Sequence, residues 1–304
     1  MPKLRGHAWA IAVLLAAFAL APSFYGNHSV LFSMAAFVAL AEGLNVLYGF
    51  TGYLPFGYVG FFGTGAYGAS LAILAGTPPL LALLVGAAAS VVLAALLTPL
   101  LRLSGAYFSI ASLATAEAMR LIVSNPALTP LTKGPYGLNL QAAFHPHQSY
   151  WAMLVILALT LALVSYLRLS PFGLALQAVR EDPVSAAMAG VPVVYARSAA
   201  WLLSAAVAGS VGGAFAWHLS VFYPQTVFSL STSIFAIVFT LFGGAATLLG
   251  PATGAVLLYA LYTAVGLSAP QYFQLIYGLL IVGLVLFLPY GLTSLLQRRG
   301  IHVP

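Results

Sequence analysis

The sequence predicts an all-α, polytopic membrane protein of about ten transmembrane helices, forming a single permease-like domain over residues 1–304. Two observations lead to this fold class. Of the 304 residues, 62% are hydrophobic and only 5% are charged, with a mean hydropathy of +1.04, which is far from the composition of soluble domains. Apolar runs long enough to cross a bilayer as helices, about 20 residues each, also recur along the chain.

Short polar breaks separate these runs and place the expected spans. The first run follows Lys3 and Arg5, as the core of a secretory signal does, but no small-x-small cleavage pattern closes it. It is therefore interpreted as the first span. The ten spans are expected at 8–23, 30–49, 57–76, 80–101, 105–123, 150–167, 198–218, 231–248, 252–268 and 272–289.

The positions of the basic residues predict the orientation, because Lys and Arg in short loops favour the cytoplasmic side. With the N-terminus inside, only Lys133 falls in an outer loop, and Arg120 lies within a span. Both termini are therefore expected in the cytoplasm. The basic residues then placed inside are Lys3, Arg5, Arg102, Arg168, Arg180, Arg197, Arg298 and Arg299.

Composition and motifs also exclude several classes of function. The basic residues are scattered singly, so no nucleic-acid partner is expected and membrane lipid is the surrounding medium. The chain has no cysteine, and His145 and His147 lack a third ligand nearby, so no metal site is predicted. Neither lysine stands in a phosphate-binding Gly-Lys-Ser/Thr motif, and protease or hydrolase motifs are absent, so the chain is not expected to be an enzyme.

Two segments are too rich in glycine and proline for uniform lipid-facing helices. They are "GLNVLYGFTGYLPFGYVGFFGTGAYGAS" and "STSIFAIVFTLFGGAATLLGPATGAVLL", one in each half of the chain. Paired interruptions favour an inverted repeat, here of spans 2–5 and 7–10, with the transport path at the interface. Tight helix packing is the alternative interpretation. The path candidates are Asn45, Gly57, Tyr58, Gly63, Gly65, Gly243 and Gly244.

The loop at about 168–197 has the pattern of two short helices at the cytoplasmic surface. Ser170-Pro171 and Asp182-Pro183 each pair an N-cap residue with proline at the first helical position. The helices are expected to run from Pro171 to Arg180 and from Pro183 to Ala189. Gly190 should then end the second helix in a left-handed conformation.

The stretch "SPFGLALQAVREDPVSAAMAGV" resembles the cytoplasmic coupling segment of branched-chain amino acid ABC transporter permeases, LivM-like in particular. Three further stretches resemble the same family in the expected order: "GLNVLYGFTGYLPFGYVGFFGTGAY", "LRLSGAYFSIASLATAEAMRLIVSN" and "FGGAATLLGPATGAVL". The resemblance implies that the 168–197 loop couples the chain to ATPase subunits. The residues expected to carry the coupling are Arg180, Glu181, Asp182, Ala186, Ala187 and Gly190.

The resemblance also implies an assembly in the plasma (inner) membrane. It includes a second permease subunit, either LivH-like or a second copy, two ABC ATPase subunits and an extracytoplasmic substrate-binding protein. No cofactor is expected on this chain, and ATP and Mg would bind the ATPase partners. The solute would be a branched-chain or other hydrophobic amino acid. Urea or short amides, and a self-sufficient channel or secondary transporter, are the alternatives.

Two acidic residues lie within predicted spans, where charges normally pair or face a cavity. Glu117 and Arg120 are three residues apart and share one helical face. They are expected to form an intramembrane ion pair, with a solute contact or a proton relay at Glu117 as alternatives. Glu42 and Asn45 are also three apart, and they either tie helices together or bind a solute's ammonium group.

Overall fold

The computed structural model describes residues 2–268 together with Leu275, Gly278, Leu279, Val282 and Gly283. The described chain is almost entirely helical. Its helices are α1 (Pro2–Phe24), α2 (His28–Thr51), α3 (Val59–Leu74), α4 (Pro79–Leu96), α5 (Gly105–Val123), α6 (Thr129–Thr132), α7 (Pro146–Leu169), α8 (Pro171–Glu181), α9 (Pro183–Met188), α10 (Val193–Leu219), α11 (Pro224–Val227), α12 (Leu230–Gly243) and α13 (Gly250–Ser268).

Helices α2 and α10 form the centre of the bundle. In their most apolar stretches 78% and 67% of the residues are buried, against 28% for both α4 and α5. Small residues let α10 approach α3 so closely that the two backbones are in contact, as is usual for helix pairs in membranes. A Cβ at Gly212 would lie 2.0 Å from the Phe62 carbonyl oxygen, and one at Gly65 would lie 2.2 Å from that of Gly209.

The first interruption separates α2 from α3. Gly52 ends α2 with a φ of +78°, and residues 52–58, including Pro55, form no helix before α3 begins. Two backbone polar groups of this non-helical segment are paired with serine side chains. Ser109 Oγ donates to the Leu54 carbonyl at 2.6 Å, and the Gly57 N–H donates to Ser112 Oγ at 3.1 Å. Irregular backbone within a bundle requires such partners.

The second interruption separates α12 from α13. Gly243 is the last residue of α12, and Gly244 follows with a φ of +110°. Thr247 closes the loop, because its Oγ1 donates to the Gly244 carbonyl at 2.8 Å and accepts from the Gly250 N–H at 3.0 Å. The helices α12 and α13 therefore form a hairpin around a hydrogen-bonded loop at 244–249.

A two-stranded antiparallel pairing ties together two of the longer connections. Strand β1 (Leu138–Asn139) pairs with β2 (Val221–Phe222), with Leu138 opposite Phe222. Leu138 and Phe222 are both buried. The pairing therefore fixes the loop after α5 to the chain that follows α10.

The polytopic all-α architecture is confirmed. Seven helical stretches in the described ranges are long and apolar enough to cross a membrane: α1, α2, α4, α5, α7, α10 and the stretch Pro224–Gly243, which joins α11 and α12. Helix α3 is a shorter apolar helix of 16 residues. The first nine predicted runs each coincide with a helix, although the prediction of 231–248 is too long because α12 ends at Gly243. The tenth run, at 272–289, lies outside the described ranges apart from isolated positions. The count of ten, the orientation and the inverted repeat stay predictions.

Candidate functional site

The segment between α7 and α10 folds as its caps predict. Ser170 Oγ accepts a hydrogen bond from the Gly173 N–H at 3.2 Å, and Asp182 Oδ1 accepts one from the Val184 N–H at 2.9 Å. Each cap satisfies an N–H group that the first helical turn leaves free. Gly190 follows α9 with a φ of +88°. This segment, residues 170–192, is called the coupling segment below.

The coupling segment presents a mixed small and apolar surface outside the bundle. Ala187, Gly190, Val184 and Met188 are exposed, and a Cβ at Gly190 would meet no atom within 4 Å. Glu181 and Asp182 are exposed beside this surface. Ala186 does not share it: its exposed fraction is 4%, because the side chain turns toward the core. Ala186 is therefore covered in this arrangement, and its expected part in the coupling stays a prediction.

Hydrogen bonds hold the carboxylate of Asp182 in its ionised form. The Ser185 hydroxyl donates to Asp182 Oδ2, and the Val184 N–H donates to Oδ1. These bonds, that of Ser185 first, lower the pKa of Asp182 below its ordinary value. The start of α9 is thus capped by a charged group at neutral pH.

Arg180 is exposed, but one of its guanidinium nitrogens reaches from the coupling segment to the bundle. Its Nη1 donates to the Gly49 carbonyl at 2.6 Å, across 131 residues of sequence. That carbonyl belongs to the last turn of α2, where carbonyls have no partner within the helix and attract cations. Arg180 therefore joins the coupling segment to the end of the central helix.

Asn45, one turn earlier on α2, holds the loop between α12 and α13. Its Oδ1 accepts from the Ala246 N–H at 2.7 Å, and its Nδ2 donates to the Thr247 carbonyl at 2.9 Å. Gly49 leaves the room for this contact, since a Cβ there would lie 2.0 Å from Asn45 Oδ1. The side-chain oxygen and the side-chain nitrogen of Asn45 thus both bond to the loop at 244–249.

Glu42 completes the contact at the start of α13. Its Oε1 accepts from the Ala252 N–H at 3.1 Å, and its Oε2 accepts from Asn45 Nδ2 at 3.2 Å. Both Glu42 and Asn45 are fully buried. The two side chains therefore tie α2 to the second interruption. The sequence left two roles open for them, tying helices together or binding a solute's ammonium group, and this geometry is the first.

The glycines predicted to line a path lie in close helix contacts here. A Cβ at Gly63 would lie 2.4 Å from the Phe228 ring, and one at Gly243 would lie 1.8 Å from the Gly250 carbonyl oxygen. Gly65 packs on Gly209 as described above, and Gly244 makes the turn after α12. The cavity beside Gly57 has a volume of ≈ 10 Å³, about the space of one water molecule.

Tyr58 lies at the start of α3 and is 1% exposed. Its hydroxyl donates to the Ser204 carbonyl of α10 at 3.1 Å. The neighbouring Val59 N–H donates to Ser233 Oγ of α12 at 2.8 Å. The first interruption is thus fixed to α10 and α12, and a role of Tyr58 and the glycines in a path stays a prediction.

Glu117 and Arg120 form an ion pair on α5. Arg120 Nε donates to both carboxylate oxygens of Glu117, at 3.0 and 2.9 Å, and Nη2 donates to Oε1. The pair lies on the outer face of the chain, with side-chain exposures of 53% for Glu117 and 25% for Arg120.

Sequence reasoning missed the serines and the arginine contact that organise these interruptions. The hydroxyl groups of Ser109, Ser112 and Ser233 bond the backbone of the first interruption. Hydroxyl residues recur along α5 and α12, so no local signal singles out these three. Arg180 lies within residues 170–192, and its partner on α2 has no local sequence signal.

Comparisons with known proteins agree with the fold. The sequence profile of the family described as branched-chain amino acid transport system / permease component matches residues 26–285. The high-affinity branched-chain amino acid transport system permease protein LivM of Salmonella typhimurium is 28% identical over 86% of this chain and 69% of its own length, and that of Escherichia coli is 27% identical over the same shares.

A second kind of permease is also similar. The probable branched-chain amino acid transport permease protein LivH of Methanocaldococcus jannaschii is 30% identical over 46% of this chain and 46% of its own length. No solved structure matches the chain significantly.

Proposed function

Because the chain belongs to the family of branched-chain amino acid transport permeases, we propose that it is the membrane-spanning subunit of an ATP-driven importer. The chain is a multi-pass inner membrane protein. In the proposal its spans number about ten, with both termini in the cytoplasm and spans 2–5 and 7–10 related by inversion. The transported solute is a branched-chain or other hydrophobic amino acid.

The connection between the coupling segment and the second interruption carries this proposal. Arg180 binds the end of α2, and Asn45 on the same helix binds the loop at 244–249. A force on the coupling segment would therefore act on α2, and through α2 on the irregular backbone between α12 and α13. A channel or secondary transporter has no need of such a connection to an exposed cytoplasmic segment.

Separate subunits supply the energy in this proposal. Two ABC ATPase subunits bind ATP and Mg, and each membrane subunit offers its coupling segment to one of them. Ala187 and Gly190 provide a small surface for that contact, flanked by exposed Val184 and Met188. Exposed apolar side chains next to small residues are typical of a surface that another protein covers. A second permease subunit and an extracytoplasmic binding protein complete the assembly.

The proposal is tested by reconstitution. The chain is co-expressed with a candidate LivH-like permease and two ATPase subunits, placed in vesicles, and assayed for leucine uptake with a binding protein. Uptake that requires ATP and the ATPase subunits is expected. Leucine movement by the chain alone would make it a channel or secondary carrier, and uptake of urea or short amides in place of leucine would change the solute.

A matched pair of variants tests the coupling segment itself. Gly190 and Gly76 both have positive φ, +88° and +90°, and a Cβ at either would meet no atom within 4 Å. Gly190→Leu and Gly76→Leu therefore impose the same local strain, but Gly76 lies in the turn between α3 and α4. Gly190→Leu is expected to insert normally and lose uptake while ATP hydrolysis continues. Equal uptake by the two variants would contradict the assigned coupling surface.

A further inference from the structure

A cavity of ≈ 570 Å³ lies at the end of the bundle that carries the coupling segment. One wall is formed by the end of α4 and the 3-10 helix that follows it, Thr98–Arg102. The other wall is the start of α10, which begins directly after the coupling segment. Arg102 lines the first wall and Arg197 lines the second. The cavity therefore has the size of a small-ligand site and a basic residue in each wall.

These two positive charges have no counter-charge within the described ranges. All four acidic residues of the chain lie in those ranges, and the one ion pair found there joins Glu117 to Arg120. Neither Arg102 nor Arg197 donates a hydrogen bond in this part of the chain, and Arg197 Nε is fully buried without an acceptor. A cleft lined by charges of one sign attracts the opposite charge, so the cavity favours an anionic ligand.

An aromatic ring of the first interruption holds the guanidinium of Arg197 in place. Arg197 Cζ lies 4.9 Å from the centre of the Tyr53 ring, which is a cation–π distance. The Tyr53 hydroxyl donates to the Leu101 carbonyl at 3.3 Å, and its ring packs edge-on against Phe108 with 5.0 Å between centroids. Stacking uses the face of a guanidinium and leaves the N–H groups on its edge for an acceptor. Ser198 adds a hydroxyl to the same wall.

An exposed apolar stripe on α4 leads to this cavity. Its residues are spaced by three and four and so lie on one face of the helix: Leu81, Leu84, Ala88, Val92 and Ala95. At 1.5 Å per residue the stripe is about 21 Å long, which exceeds the roughly 15 Å of hydrocarbon in one leaflet. Ala95, at the end of the stripe, also lines the cavity. This surface suits acyl chains that lie along α4 below a polar group held between the arginines.

We infer that this cavity binds an anionic phospholipid, with the headgroup phosphate between Arg102 and Arg197 and the acyl chains along α4. Guanidinium groups match phosphate oxygens in geometry and charge, and basic pockets between membrane helices bind anionic headgroups in this way. A choline headgroup would bring a further positive charge to two uncompensated arginines. A free phosphate ion offers the same oxygens but leaves the α4 stripe unused. The inference goes beyond the proposed function, because it requires no solute, no ATP and no partner subunit.

Lipid binding by the purified full chain tests the inference. The chain in detergent is titrated with phosphatidylglycerol and, separately, with phosphatidylcholine of the same acyl chains, and bound lipid is counted by native mass spectrometry. Tight binding of phosphatidylglycerol and weaker binding of phosphatidylcholine are expected. Inorganic phosphate and glycerol 3-phosphate are then added as competitors. Displacement of the lipid by either compound at a concentration equal to that of the lipid would make this a site for a free phosphate group.

A matched pair of charge variants locates the binding. Arg102 is exposed and makes no hydrogen bond in the described ranges, so Arg102→Gln should fold normally. Lys133→Gln removes the same charge from an exposed side chain outside the cavity. Arg102→Gln should weaken phosphatidylglycerol binding at least about 10-fold, the low end for a hydrogen bond to a charged group, and Lys133→Gln should leave it unchanged. Arg197→Lys keeps the charge without the planar fork and should show an intermediate loss.

Several results would overturn the inference. Wild-type affinity in Arg102→Gln, or equal affinity of the wild-type chain for the two lipids, would remove the headgroup from this cavity. Equal losses in Arg102→Gln and Lys133→Gln would mean that net charge alone attracts the lipid. Normal lipid binding by an Arg102→Gln chain that no longer copurifies with an ATPase subunit would assign the arginines to an acidic protein surface. Each readout is independent of ATP-driven uptake.

Discussion

Replacement of Asn45 by alanine removes the contact between the central helix and the second interruption. Three hydrogen bonds are lost: from the Ala246 N–H, to the Thr247 carbonyl and to Glu42. Polar contacts between membrane helices contribute about 0.6 to 1.7 kcal/mol each, so the sum is about 2 to 5 kcal/mol. At roughly 2 °C per kcal/mol for a chain of this size, the apparent Tm should fall by about 4 to 10 °C.

Thermal unfolding in detergent and ATP-dependent uptake in vesicles measure the two consequences of this variant. Asn139→Ala is the matched control, because the exposed side chain of Asn139 on β1 accepts a single hydrogen bond, from the Gln141 N–H, and the backbone pairing of β1 is kept. The control should retain both Tm and uptake. If Asn45→Ala matched this control in Tm, the loop would not depend on Asn45 for its stability. Normal Tm with lost uptake would instead make Asn45 a group that acts in transport rather than in folding.

Two of three further predictions concern the same connection, and the third concerns the cap of α9. Gly49→Ala should destabilise the protein by about 1 to 3 kcal/mol through overpacking, because its Cβ would lie 2.0 Å from Asn45 Oδ1; a wild-type melting curve would argue against that contact. Arg180→Gln should lower uptake per ATP hydrolysed because the bond to the α2 carbonyl is lost, whereas Arg180→Lys should retain part of it; equal coupling in both variants would exclude this role. The lowered pKa of Asp182 means that its cap stabilises α9 above the ordinary carboxyl pKa of about 4 and loses that effect as the pH falls through the lower folded value. Acid should therefore speed hydrogen exchange of the α9 backbone amides beyond the intrinsic pH dependence of exchange, and Asp182→Asn should remove most of that additional effect.

Local structure was largely predictable from sequence. The caps at Ser170 and Asp182 and the left-handed Gly190 follow from neighbouring residues alone, and all three occur as expected. The interruption at Gly52 and Pro55 also follows from local chemistry, because proline lacks an N–H and glycine accepts positive φ. Such features depend on a few adjacent residues, and those residues are visible in the sequence.

The contacts between the interruptions and their neighbours were not predictable in the same way. The α12 helix ends earlier than its apolar run because Gly244 turns the chain and Thr247 closes the loop. The bonds from Asn45 to Ala246 and from Arg180 to Gly49 span 201 and 131 residues. No pattern in the sequence connects residues so far apart.

By itself the sequence determined that this protein lies in the membrane, where its helices break and how its coupling segment is capped. Only the tertiary structure decided that Asn45 and Glu42 bind the second interruption, that Arg180 bonds to the end of α2 and that the Glu117–Arg120 pair faces outward. The physical reason is the solvent: lipid and protein interior are both apolar, so an apolar helix carries no stripe that marks its buried side. Packing of small residues and a few buried hydrogen bonds select the helix neighbours, and these depend on the whole arrangement.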